Sequence, residues 1–106
     1  MCDVAKVRAL NDEFRTSLKG GKVIATRGVI YRPDLSILVK KVREFDEFTE
    51  DNDPYGEHDF GAFTHSGERF YFKIDYYSSD MKMGSADPAD PAKTTRVLTI
   101  LRAEEY

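Results

Sequence analysis

Apolar residues near the start of the chain recur at helical spacing. Val4, Val7, Leu10, Phe14 and Leu18 fall on one stripe, Asp3 can cap its start and Gly20-Gly21 can stop it, so the spacing predicts an amphipathic helix over residues 4–19. Residues 22–31 read as a strand: Val23, Ile24, Val29 and Ile30 are β-branched, and Gly28 inside the run marks a bulge or a close backbone approach. Pro33 suits the first position of a second helix and Asp34 its first turn. Leu35, Leu38, Val39 and Val42 then follow at i, i+3, i+4 and i+7, ahead of Lys40, Lys41 and Arg43 near the C-terminal end.

The second half changes period. Residues 49–57 carry Pro54, Gly56 and Asn52 among acids and read as a loop. A hairpin is expected next, with strands over 59–63 and 68–77 about a turn at His65-Ser66-Gly67. In its second strand Phe70, Phe72, Ile74 and Tyr76 share one face, the core face, and Tyr71, Lys73, Asp75 and Tyr77 the other. Residues 78–94, with Asp87-Pro88 and Asp90-Pro91, form a long connection. The last segment, 94–103, sets Thr95, Val97, Thr99 and Leu101 against Arg96, Leu98, Ile100 and Arg102, and apolar residues on both faces suggest a central strand. The expected fold is one α+β domain over residues 1–106, a mainly antiparallel sheet of about four strands with two helices on one face.

Charge sharpens this picture. From Glu44 to Glu68 there are nine Asp or Glu and no Lys or Arg, in a chain whose net charge is only −3. Such a block points to one electronegative face, and a sequence pI near 5.4 removes the electrostatic case for direct nucleic-acid binding. No apolar run reaches the roughly 20 residues that span a bilayer, and the start of the chain has no pattern of an export signal. The expectation is a soluble cytoplasmic protein without a membrane segment. The lone cysteine, Cys2, cannot form an internal disulfide and reads as incidental.

Candidate chemistry gathers around the acidic loop. A three-residue hairpin loop would set Glu57 opposite Asp75 and Asp59 opposite Lys73; a two-residue loop would set His58 opposite Asp75 and Asp59 opposite Ile74. The first register makes a carboxylate pair with one raised pKa, the second an Asp/His pair that could orient an imidazole. A hydrolase or transferase site, with or without a divalent cation, would therefore draw on Glu57, His58, Asp59, Lys73, Asp75 and Arg96. As a calcium loop, Asp51, Asp53 and Gly56 occupy positions one, three and six, but Tyr55 and Ala62 stand at five and twelve, where ligands belong. No zinc spacing, nucleophile elbow or phosphate loop is present. No metal and no cofactor are assigned. The reading preferred on these residues is a non-enzymatic binding or inhibitor module. Asp51, Asp53, Tyr55, Glu57 and Tyr77 would engage a basic protein partner, such as a nucleic-acid-binding component.

The succession NDPYGEHDFGAF, FKIDYY, GSADPADP and TTRVLTILRAEEY, preceded by TRGV, resembles a small bacterial family of unknown function whose members are often carried on plasmids and other mobile elements. The likeness covers most of the chain. Its pattern commonly has Trp where this chain has Phe72, which keeps the aromatic character. The resemblance implies that Asn52, Asp53, Pro54, Gly56, Glu57, His58, Asp59, Lys73, Asp75, Tyr76, Asp87, Asp90, Thr95 and Arg96 belong to one recurring arrangement. It implies no activity; carriage on mobile elements points towards a counter-defence, addiction or transfer role.

Overall fold

A computed structural model describes residues 3–106, so Cys2 lies outside the described residues. Helix α1 spans Val4–Ser17. The Asp3 carboxylate accepts from the Lys6 amide at 3.1 Å, and Leu18, left-handed at φ 61°, closes the far end by donating its amide to Phe14 O. Its buried stripe is Val7, Asn11, Phe14 and Arg15, so two polar residues sit where the apolar spacing would place core.

Strand β1 is Gly21–Ala25, shorter than the expected 22–31. Thr26 remains extended and still donates its amide to Ile100 O, after which Arg27–Ile30 wind into a single helical turn, α2, that buries Val29. Gly28 is a close approach and not a bulge. Its amide donates to Glu105 Oε2 at 3.0 Å, and a Cβ there would stand 2.6 Å from the same carboxylate. Helix α3, Leu35–Arg43, begins after Pro33-Asp34 and buries Leu38 and Val42.

Strands β2 (Phe60–His65), β3 (Glu68–Tyr77) and β4 (Thr95–Arg102) complete a four-stranded sheet of order β1-β4-β3-β2. A short 3-10 turn, Ala103–Glu105, follows β4. Strand β4 is central, as its two apolar faces suggested. The β2/β3 and β3/β4 pairs are antiparallel, but β1 pairs with β4 in parallel, which makes the sheet mixed. The α+β class stands, with three α-helices in place of two.

The hairpin has the two-residue loop. His65 pairs with Glu68, and Ser66 (φ 51°) and Gly67 (φ 78°) are both left-handed, the primed geometry whose twist matches the flanking strands. One face of the sheet carries Phe70, Phe72, Ile74, Leu98 and Ile100 and packs against Phe14, Val29, Leu38 and Val42. On the other face Phe60, Tyr71 and Tyr106 form an aromatic trio with ring centroids 5.1 to 5.9 Å apart, Tyr106 edge to face with both others.

The 78–94 connection is ordered by its own polar groups. Asp87 Oδ1 accepts from the Ala89 amide and Asp90 Oδ1 from the Ala92 amide, so the duplicated Asp-Pro pair is two successive Asx turns.

Candidate functional site

The acidic loop is built as a series of small closed turns. Thr49 O receives the Asp53 amide at 2.8 Å, Asn52 Oδ1 the Thr49 amide at 2.9 Å, and Asp53 O the Gly56 amide at 3.1 Å. Gly56 (φ 70°) and His58 (φ 58°) are both left-handed, so the chain doubles back around Glu57. His is among the residues that tolerate that region best. Here contacts with Asp53, Asp12 and Phe48 hold it.

Helix α1 supplies most of those contacts. Arg8 Nε donates to Gly56 O at 2.7 Å, and Asn11 Nδ2 donates to Glu57 O at 3.0 Å and to the Tyr76 hydroxyl at 2.8 Å. That hydroxyl in turn donates to Glu57 Oε1 at 2.7 Å, and Arg96 Nε donates to Asn11 Oδ1 at 2.7 Å. Asn11 is 0 % exposed, so its amide has no water to fall back on and all three of these bonds matter. Burial, and then the bond to Glu57, pushes the Tyr76 phenol well above its usual range, which keeps it a protonated donor. Arg96 lies over the Tyr76 ring and also donates to Pro88 O, tying the second loop into the same network.

His58 is held separately. Its ring stacks on Phe48 at 3.8 Å and 4°, and Nδ1 stands 2.9 Å from Asp12 Oδ1. A carboxylate only accepts, so Nδ1 carries the proton. Asp53 Oδ1 accepts the His58 amide at 3.1 Å, and its other oxygen lies 3.7 Å from Nε2. Beneath them the buried Arg15 donates to the carbonyls of Val42, Arg43 and Phe45, closing the end of α3.

The candidate residues are thereby divided. The two-residue register does place Asp59 beside Ile74, whose amide donates to Asp59 O, but His58 turns away from Asp75 to α1, and no Asp/His pair forms between them. Glu57, His58 and Arg96 lie in the network with α1. Asp59, Lys73 and Asp75 line a cleft of about 490 Å3 together with Tyr55, Phe60 and Tyr106. Lys73 Nζ donates to Asp75 Oδ2 at 2.9 Å, which with the attraction of that carboxylate raises the ammonium's pKa. Burial, then repulsion from Glu57, Asp53 and Asp75, raises that of Asp59.

Of the residues expected at a partner surface, Tyr55 is 78 % exposed and Asp51 is exposed, while Glu57 and Tyr77 are half-buried. Asp53 is 8 % exposed and its carboxylate faces inward. Further acids stand exposed before the loop, among them Asp46, Glu47 and Glu50. Among the described residues, no group of three or more His, Cys, Asp or Glu is arranged to hold a metal ion, and no helix is long and apolar enough to cross a membrane.

Arg8, Asn11, Asp12 and Arg15 were not among the candidates. Asn11 and Arg15 lie on the buried stripe of α1 with Val7 and Phe14, and a polar residue at a core position is the signal that marks such anchors.

No curated protein and no solved structure matches the chain. Residues 6–105 do match a family, and that span takes in the acidic loop, its anchors on α1 and every strand. The chain belongs to the family described as Protein of unknown function (DUF3768).

Proposed function

We propose that the protein is a small cytoplasmic binding module whose acidic loop engages a basic surface on a host or plasmid-encoded protein. The observation that supports this most is the division of the loop's side chains. Glu57, His58 and Asp53 face inward and hold the loop, whereas Glu50, Asp51 and Tyr55 are left exposed on it. A pre-ordered acidic surface with an exposed aromatic loses little entropy on docking, and its field steers a basic partner. The mobile-element association implied by the motifs would make a nucleic-acid-binding defence component a fitting target, its phosphate-binding Lys and Arg occupied by carboxylates.

The enzymatic alternative retains Asp59, Lys73 and Asp75, which share the cleft. It is the weaker reading, because the ion pair with Asp75 holds Lys73 protonated and away from nucleophilic chemistry.

Affinity capture from host lysate tests the proposal. Wild-type protein should retain a basic protein at about 50 mM salt and release it at about 500 mM, and the Glu50→Gln/Asp51→Asn/Tyr55→Ala variant should retain none. Equal retention by both would refute the loop as the contact.

A further inference from the structure

The cleft beside the loop has a composition that the loop's charge does not account for. Its aromatic walls are Phe60 and Tyr106, packed edge to face, with Tyr55 at the lip. Lys73 is already neutralised by Asp75. Asp59 differs: among the described residues its carboxylate has no hydrogen bond or ion pair with another side chain, only one with its own amide. The charges that bear on it most are other carboxylates, those of Glu57, Asp53 and Asp75. With Glu105, which is bonded to Thr26 and to the Gly28 and Arg102 amides, the half-buried cleft therefore carries three carboxylates against one cation, Lys73, next to ring surfaces that attract positive charge.

We propose that this cleft takes the guanidinium of an arginine on the protein partner, held by Asp59 and stacked on Tyr55 and Tyr106; this rests on the binding-module reading and names what the partner inserts. Arginine fits better than lysine for a physical reason. Its planar, weakly hydrated fork stacks on a ring while its edge bonds a carboxylate, whereas an ammonium gives up more hydration on entering a half-buried site. The bound cation would also relieve the repulsion among the four carboxylates. The loop acids outside the cleft would supply steering, and the cleft would supply the anchor.

The test titrates the isotope-labelled full chain with a capped Gly-Arg-Gly peptide, its citrulline counterpart and its lysine counterpart, following backbone amide signals. The arginine peptide should give saturable shifts centred on Asp59, Phe60 and Lys73. Citrulline should give none, and lysine should bind at least about fivefold more weakly, the loss of a stacked fork. Asp59→Asn should weaken the arginine peptide about tenfold or more. Tyr55→Ala, at an exposed position where folding is not at stake, should weaken it about threefold.

Equal shifts with citrulline, equal affinity for lysine, or an Asp59→Asn variant that binds like wild type would each overturn the proposal. The Glu50→Gln/Asp51→Asn variant separates the two readings. It should bind the peptide within about twofold of wild type while losing the lysate partner's salt-dependent capture. Loss of capture in that variant with no peptide binding by wild type would sink the arginine cleft and leave the docking loop standing.

Discussion

Replacing Tyr76 by Phe removes one oxygen from the centre of the network and leaves the ring beneath Arg96 in place. The hydroxyl donates to Glu57 Oε1 at 2.7 Å and accepts from Asn11 Nδ2 at 2.8 Å. A bond to a charged acceptor is worth about 1.5–3 kcal/mol and a neutral one about 0.5–1.5 kcal/mol. Glu57 is only half-buried and can recruit water, which places its share at the low end, while Asn11 keeps its bond to Glu57 O. The expected loss is about 2–3 kcal/mol, a fall in Tm of about 8–24 °C at this chain length. In urea the midpoint should drop by about 1–2 M with an unchanged slope, since the core is not opened. A loss below about 0.5 kcal/mol would mean that water replaces the hydroxyl freely, and the loop would then not be anchored through Tyr76.

Three other substitutions probe the supports around it. Gly61→Ala would press a Cβ into the Phe72 ring and to within 2.9 Å of Phe45; overpacking there should cost about 1–3 kcal/mol by denaturant titration. Asp59→Asn should raise the unfolding midpoint at pH 7. Its folded pKa lies above the unfolded one, so the ionised form opposes folding, and the gain over wild type should vanish as pH falls below the unfolded carboxylate value. Arg32→Ala probes the opposite sign. Arg32 bonds Asp34 and Glu68 and lowers both carboxyl pKa values from 3.8 and 4.5, so their contribution is present above the unfolded values and lost as pH falls through the folded ones. The stability difference between wild type and Arg32→Ala should accordingly be larger at pH 7 than at acid pH, and a difference independent of pH would contradict the assignment.

Strands with contrasting faces were readable from the chain because their signal is local. In β3 the alternation of Phe70, Phe72 and Ile74 with Tyr71, Lys73 and Asp75 predicts both span and facing, and β4 reads as central because apolar residues lie on both of its faces. Strand β1 misleads. Val29 and Ile30 have strand-forming side chains, but the segment winds into α2, where the Gly28 amide meets the Glu105 carboxylate 77 residues away, a partner that no window reveals. The parallel pairing of β1 has the same origin, since it depends on where the chain returns. Hairpin register was limited to two alternatives, and the left-handed pair Ser66-Gly67 decides between them.

The site was located by its charge, but its internal division was not visible. Glu57 and His58 look alike in sequence to their exposed neighbours, and only their partners on α1, Asn11 and Asp12, 46 positions away, distinguish them. Asn11 could have been singled out as a polar residue within the Val7 and Phe14 stripe. What it holds could not.

To act as a docking surface, the loop must be held in one conformation in solution. Native-state hydrogen exchange of the Asp53, Gly56 and His58 amides, which donate to Thr49 O, Asp53 O and Asp53 Oδ1, tests that most directly. A held loop protects these amides by at least about a hundredfold, on the order of 3 kcal/mol of opening free energy, and Tyr76→Phe should lower the protection. Exchange at the rate of an unstructured peptide would contradict the account, because the acids would then lie on a solvated tether and no surface would be preformed.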